Sequence, residues 1–195
     1  MDSPQSQFAA PPVIVGICGS LSADSTTRRA LKLALQAARD AGGQTSLIDL
    51  RELKLPFASS GWDPSEWPDA ETLLSAVRGA DGLLWATPEY HGSYSGALKN
   101  ALDLAAIEDY DGKVVALLGV AAGQIGAIQS LTHLRGIARQ LHMWAIPSQL
   151  SIARAYDAFD ESGALKDAKL AASLQKMSVE LVKWSAVHRS AANVG

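Results

Sequence analysis

Three short, unbroken apolar runs constrain the fold more than any other feature of the 195-residue chain. They span residues 13–18, 82–86 and 113–120, and they do not alternate between apolar and polar positions, apart from the lysine that opens the third. Runs of this kind are typical of strands that are buried on both faces, as in parallel sheets. We therefore predict a parallel sheet that is covered by helices.

Helical segments separate the predicted strands along the whole chain. Strands that alternate with helices imply right-handed crossovers and a doubly wound α/β fold. We expect residues 1–195 to form a single domain, with residues 1–10 and 189–195 flexible at its ends. Besides the three apolar runs, we predict strands at 45–50 and 143–146, and helices at 30–41, 69–78, 96–106, 127–141 and 164–187.

Composition excludes several classes of protein. A net charge of −3 provides no basic field for nucleic acid, and no apolar stretch is long enough to span a bilayer. The first twelve residues lack the basic start and apolar centre of a signal peptide. The single cysteine, Cys18, cannot form an internal disulfide, and the four histidines lack metal-ligand spacing. We expect a cytoplasmic protein without nucleic-acid, membrane or metal partners.

The most informative segment follows the predicted strand 82–86. Residues 88–103 read Pro-Glu-Tyr-His-Gly-Ser-Tyr-Ser-Gly-Ala-Leu-Lys-Asn-Ala-Leu-Asp and lead into a helix. The segment therefore lies at the carboxyl end of a sheet strand, where open α/β sheets bind ligands. It offers backbone donors, aromatic rings and small hydroxyls, but no set of acid, base and nucleophile. Such a surface suits the binding of a flat, polar ring system better than attack on a bond.

A second candidate segment, residues 19–27, follows the first predicted strand. It concentrates serine and threonine hydroxyls at the start of a helix, where unpaired N–H groups and the helix dipole favour a phosphate. Alternatively, Ser25 only caps the helix while the other hydroxyls are solvated. The segment is neither a Walker loop nor a G-x-G-x-x-G turn. Asp49 lies about 30 residues beyond Gly19, too far for the ribose-binding acid of a dinucleotide fold.

Together the two segments resemble the NAD(P)H-dependent FMN reductase family, whose second motif reads approximately P-E-Y-N-x-S-x-P-G-x-L-K-N-A-[IL]-D. The resemblance in element order covers about residues 12–185. It implies a flavodoxin-like three-layer sandwich with a five-stranded parallel sheet of order 2-1-3-4-5. The chain departs from the family pattern at three positions: His91 replaces asparagine, Ser95 replaces proline and Ser22 replaces arginine.

The resemblance also implies which residues bind the cofactor. Glu89 could instead be a solvated charge or position a helix, and Tyr90 could pack on its own strand end. The implied contacts to the FMN phosphate are Ser20, Ser22, Ser25, Thr26 and Thr27; those to the ring and ribityl chain are Pro88, Glu89, Tyr90, His91, Gly92 and Ser93; and those from the loop after the fourth strand are Ala122 and Gly123.

The implied activity is an oxidoreductase without catalytic side chains, because the flavin supplies the chemistry. FMN would accept a hydride from NAD(P)H and pass electrons to a quinone, free flavin or similar small acceptor in a ping-pong cycle. The resemblance further implies a homodimer or homotetramer. Two alternatives remain: an electron carrier, which a charge of only −3 argues against, and an FMN-binding regulatory protein without NAD(P)H turnover.

Overall fold

The computed structural model describes residues 10–59 and 61–192, and it confirms the predicted fold class. Five strands form one parallel sheet in the order β2-β1-β3-β4-β5. The carboxyl ends of the strands therefore share one edge, from which the loops that lead to the helices emerge. The strands are β1 (Val13–Cys18), β2 (Gln44–Asp49), β3 (Gly82–Pro88), β4 (Val114–Val120) and β5 (Trp144–Ile152).

Helices cover both faces of the sheet and make a three-layer sandwich. One apolar core lies between the sheet and the helices α1 and α6, and a second core lies between the sheet and α2, α3 and α5. No helix in the described ranges is both long and apolar enough to cross a membrane. The helices are α1 (Thr26–Asp40), α2 (Pro68–Gly79), α3 (Gly96–Asp103), α4 (Ile107–Tyr110), α5 (Ile128–Gln140) and α6 (Ala168–Ala192).

The three apolar runs of the sequence form the central strands. Every residue of β3 and β4 is buried, and so is every residue of β1 except the half-buried Val13. Strands β2 and β5 lie at the edges, and their burial is correspondingly partial. Cys18 at the end of β1 is fully buried, as a small core residue would be.

Several predicted boundaries are wrong. Strand β5 continues to Ile152 instead of ending at residue 146, because an edge strand tolerates a proline on its unpaired side. An irregularity in the pairing with β4, between Val115 and Leu117, accommodates Pro147. The helix predicted at 96–106 ends early, at Asp103. A separate short helix, α4, begins at Ile107 because the Asp109 carboxylate accepts a hydrogen bond from the Ala106 N–H (3.1 Å).

Helix α6 is displaced from its predicted range of 164–187. It begins at Ala168 because the Asp167 side chain caps its first turn, and it continues through Ala192. Arg189, which we expected in a flexible end, donates hydrogen bonds to the Pro11 carbonyl and the Asp81 carboxylate (both 3.0 Å). Trp184 is 40% exposed and lines a groove beside β5. The remainder of the predicted flexible ends, residues 1–9 and 193–195, lies outside the described residues.

Candidate active site

The carboxyl edge of the sheet carries a cavity of about 230 Å³ above β1, β3 and β4. Both candidate segments of the sequence contribute to its walls. Four of the predicted site residues, His91, Gly92, Ser93 and Gly123, lie outside the lining. The residues that line it are Ser20, Ser22, Asp24, Ser25, Thr26, Thr27, Pro88, Glu89, Tyr90, Val120, Ala122, Ala155 and Tyr156.

The loop between β1 and α1 presents buried hydroxyls at a helix N-terminus. Ser20, Ser25 and Thr27 are at most 5% exposed. Ser25 is the N-cap of α1, since its side chain accepts a hydrogen bond from the Arg28 N–H (3.1 Å). A hydroxyl that accepts in this way retains its own hydrogen for a ligand. The loop therefore combines hydroxyl donors with the positive end of the α1 dipole.

Arg28 holds this loop, and the sequence analysis did not identify it. Its guanidinium donates to the carbonyls of Ser22 (3.1 Å) and Ala23 (3.2 Å) and forms an ion pair with Asp49 at the end of β2. Both charged side chains are largely buried, and the hydrogen bond with Asp49 raises the pKa of Arg28. The role of Asp49 is thus to fix Arg28 across the loop.

Gly19 and Ser95 join the two candidate segments. A Cβ atom on Gly19 would lie 2.8 Å from the Cβ of Leu98, so only glycine permits this approach. The Ser95 hydroxyl donates to the Gly19 carbonyl (2.6 Å) and accepts from the Leu98 N–H (3.1 Å), which makes it the N-cap of α3. Ser95, at the position where the family pattern has proline, thus caps α3 and also links the two candidate segments by a hydrogen bond.

His91 lies in a tight backbone turn. His91 and Gly92 have φ angles of +52° and +78°, and Tyr90 and Ser93 exchange backbone hydrogen bonds of 2.8 and 3.1 Å on either side of them. Two consecutive positive φ angles are typical of a type I′ turn, which favours Asn-Gly. The asparagine of the family pattern therefore matches the backbone, and the exposed His91 side chain stands outside the cavity.

Helix α5 supports the same loop from behind. The Glu89 carboxylate accepts hydrogen bonds from the N–H and the hydroxyl of Ser130 (both 3.1 Å) in the first turn of α5. The Ser93 hydroxyl lies 3.0 Å from Nδ1 of His133, so Ser93 faces α5. Glu89 is therefore not a solvated charge: its carboxylate bonds to helix α5, as one of the predicted alternatives had it. The residue also lines the cavity.

Two exposed tyrosines stand at the rim of the cavity. Tyr90 is 53% exposed and Tyr156, in the loop after β5, is 83% exposed. The loop that carries Tyr156 is anchored, because the Arg154 N–H donates to the Gly123 carbonyl and the Ala155 N–H donates to the Ala121 carbonyl (both 3.0 Å). The sequence analysis missed Tyr156 because it ended β5 at residue 146. A longer β5 would have placed Tyr156 at the ligand-binding edge.

The charges at the cavity are unusual for a phosphate site. Its lining contains two carboxylates, Asp24 and Glu89, and no lysine or arginine. Asp24 forms an ion pair with the exposed Arg29. A phosphate in this cavity would depend on neutral donors and on the helix dipole for its stabilisation.

A larger cavity, of about 600 Å³, lies between β5 and α6 at the opposite end of the sheet. It is lined mainly by apolar side chains, including Trp144 and Trp184, and it contains none of the predicted site residues. We therefore assign the candidate chemistry to the smaller cavity, where both candidate segments meet.

Known proteins resemble this chain in sequence and in fold. Residues 12–157, which include all of the predicted site residues, match the family described as NADPH-dependent FMN reductase. The chain belongs to this family. It is therefore an oxidoreductase with FMN as cofactor and NAD(P)H as co-substrate, as the sequence motifs implied.

Individual relatives extend the similarity over most of the chain. An NAD(P)H-dependent FMN reductase of Pseudomonas aeruginosa is 33% identical over 88% of this chain and 94% of its own length. The NADPH-dependent FMN reductase ArsH of Shigella flexneri is 30% identical over 92% of this chain and 71% of its own length. The flavoenzyme NAD(P)H:acceptor oxidoreductase FerB of Paracoccus denitrificans has the same fold, with a TM-score of 0.78 at 24% identity over 91% of this chain and 98% of its own.

Proposed function

We propose that FMN binds in the cavity above β1, β3 and β4, and that the protein passes electrons from NAD(P)H to a quinone, free flavin or similar small acceptor. The observation that carries the proposal is that a hydroxyl-rich helix N-terminus and the 88–95 loop open into one cavity. The distribution of polar groups suits a ligand with a phosphate at one end and a flat ring at the other.

The phosphate would be held by the loop between β1 and α1. Ser20, Ser25 and Thr27 place hydroxyls at the start of α1, where the Thr26 and Thr27 N–H groups have no hydrogen-bond partner among the described residues. Arg28 keeps the loop in this conformation while its own charge is balanced by Asp49. Neutral donors of this kind stabilise an anion without a side-chain cation.

The ring would be held by the loops after β3 and β4. Pro88 has no N–H and a fixed φ angle, which makes it a rigid apolar wall, and Tyr90 stands at the rim. Glu89 is held by Ser130, so this carboxylate is positioned by α5 and does not move freely. When bound, FMN supplies the redox chemistry, and the side chains contribute placement and electrostatics.

Tyr90 and Tyr156 line the cavity and are both exposed, and the nucleotide and the acceptor would enter beside them through the same opening. A shared opening favours a ping-pong order, in which the oxidised nucleotide leaves before the acceptor enters. Because cells hold NAD(P)H in the cytoplasm, we propose that the protein acts there.

Steady-state kinetics of the FMN-loaded protein test this function. Initial rates of NADPH oxidation, measured anaerobically against a water-soluble quinone and against free FMN, should give parallel double-reciprocal lines. Intersecting lines would contradict the ping-pong order. Protein that releases FMN on denaturation but does not oxidise NADPH or NADH with any acceptor would be a carrier or a regulatory protein, and the proposal would be wrong.

A further inference from the structure

A further cavity, of about 350 Å³, borders the loop after β5 and the start of α6. We call it the Arg154 cavity, after one of the residues that line it. Tyr156, at the rim of the candidate active site, stands in the same loop between Arg154 and Asp157, which both line the Arg154 cavity. The two cavities are therefore neighbours on the carboxyl edge of the sheet, and a long ligand that projects past Tyr156 can reach from one to the other.

The Arg154 cavity contains the cations that the candidate active site lacks. Arg154 and Lys166 both line it, and both are exposed. Neither forms an ion pair with any residue that the structure describes, whereas Arg28 and Arg29 beside the candidate active site are each paired with an aspartate. We propose that Arg154 and Lys166 bind the 2′-phosphate of NADPH and thereby select NADPH over NADH. This inference rests on the proposed function, because it requires the nucleotide to enter beside Tyr156.

The fold fixes the backbone of Arg154. Its φ angle is +46°, in the left-handed region that residues with long side chains seldom adopt. Two hydrogen bonds hold it there: the Arg154 N–H donates to the Gly123 carbonyl (3.0 Å), and the Arg154 carbonyl accepts from the Asp157 N–H (2.9 Å). Residues that are held in sparsely populated conformations cluster at ligand sites. The conformation of Arg154 thus supports a binding role independently of its charge.

Lys166 is held by a hairpin that follows the same loop. Its N–H donates to the Ala158 carbonyl (3.0 Å), and Phe159 and Leu165 pair in antiparallel fashion within the hairpin. The planar fork of arginine can bond two oxygens of one phosphate, and lysine adds a point charge. A phosphomonoester carries roughly two negative charges near neutral pH. The two cations on fixed segments therefore match the group that distinguishes NADPH from NADH.

Two carboxylates also line the Arg154 cavity, and they differ in their partners. Asp167 caps α6, since its side chain accepts from the N–H groups of Lys169 (2.8 Å) and Leu170 (3.2 Å). Asp157 is exposed, and no described residue donates a hydrogen bond to its side chain. A carboxylate of this kind favours a ribose 2′-hydroxyl over a 2′-phosphate. The two cations outnumber this one uncommitted carboxylate, so the cavity presents a net positive charge to a ligand.

Steady-state kinetics of the FMN-loaded full chain, with NADPH and with NADH, test the inference. We expect the wild type to have the higher kcat/KM for NADPH. Arg154→Gln should lower the ratio of the NADPH value to the NADH value about tenfold, because it removes a charge-assisted bond to the phosphate. Lys166→Gln should lower the ratio less, and Asp157→Asn should raise it. The matched control is Lys169→Gln, which removes a positive charge from the first turn of α6 outside the cavity lining and should leave the ratio unchanged.

Isothermal titration gives a readout that does not depend on turnover. Adenosine 2′,5′-bisphosphate should bind the wild type more tightly than adenosine 5′-monophosphate does, and Arg154→Gln should remove that difference. A wild type that prefers NADH, a ratio that Arg154→Gln leaves unchanged, or equal binding of the two adenosine nucleotides to the wild type would overturn the inference while the reductase function stands. Protein that oxidises neither NADPH nor NADH would overturn the proposed function and this inference with it.

Discussion

At the residue scale, backbone conformation explains one departure from the family pattern. His91 has a φ angle of +52°, in the left-handed region that costs an L-residue about 1–2 kcal/mol because its Cβ approaches the following carbonyl oxygen. Asparagine enters this region more readily, because its short side chain can hydrogen-bond locally. His91 therefore occupies a position whose backbone prefers another residue.

We predict that His91→Asn stabilises the protein by about 0.5–1 kcal/mol, because it removes part of that left-handed cost. Thermal unfolding followed by circular dichroism measures the change. Gly92→Ala serves as the opposite control, since its φ is +78° and an added Cβ would lie 2.8 Å from Oε1 of Gln129. A His91→Asn variant less stable than the wild type would show that the imidazole itself contributes to stability.

Arg28 holds the loop between β1 and α1 in place by several hydrogen bonds at once. Its guanidinium reaches two loop carbonyls and Asp49 at once, a pattern that requires the planar fork of arginine. Lysine would keep the charge but could not make all of these bonds.

We predict that Arg28→Lys weakens FMN binding about tenfold and leaves riboflavin binding nearly unchanged, because the loop would lose the conformation that meets the phosphate. Fluorescence titration of both flavins measures the ratio. Arg29→Lys, which alters the neighbouring exposed ion pair with Asp24, should leave the ratio as it is. Equal losses for both flavins would indicate a general effect on the fold instead.

At the element scale, the N-terminus of α1 has two roles that can be separated. Ser25 caps the helix and lines the cavity, while Ser20 lines the cavity without capping. Capping contributes about 1 kcal/mol to stability, and a glycine at the same position retains most of it.

We predict that Ser20→Ala combined with Ser25→Gly weakens FMN binding at least tenfold for each hydroxyl, because each bond to a charged phosphate contributes about 1.5–3 kcal/mol. Isothermal titration with FMN measures the effect. Ser25→Ala should bind FMN as weakly as Ser25→Gly but unfold at a lower temperature. Unchanged affinity in the double variant would place the phosphate elsewhere.

At the scale of the whole molecule, one sheet connects both apolar cores. Strands β1, β3 and β4 contribute side chains to the core under α1 and α6 and also to the core under α2, α3 and α5. Loss of either core would expose one face of the strands on which the other core also depends. Cooperative unfolding of the described residues follows from this shared sheet.

We predict a single unfolding transition for the whole chain, with a midpoint that rises with FMN concentration because the ligand binds the folded state. Differential scanning calorimetry with and without FMN tests this. Two separate transitions in the apoprotein would contradict the single domain that the sequence predicts.

The sequence by itself determined the central part of the fold and the edge of the sheet at which the candidate site was expected. The apolar runs at 13–18, 82–86 and 113–120 correspond to β1, β3 and β4. A strand that is buried on both faces is apolar at successive positions, and this pattern is visible in the local sequence. The hydroxyl-rich segment and the 88–103 motif each follow such a strand. Parallel strands bring their carboxyl ends together, so both segments were expected at one edge.

Only the tertiary structure decided which side chains meet there. Arg28 and Asp49 are 21 residues apart, Glu89 and Ser130 are 41 apart, and Tyr156 reaches the cavity because β5 extends beyond its proline. Periodicity and capping rules describe contacts within about one helical turn or one strand. Contacts between loops depend instead on strand order, strand length and register, which the packing of the whole chain determines.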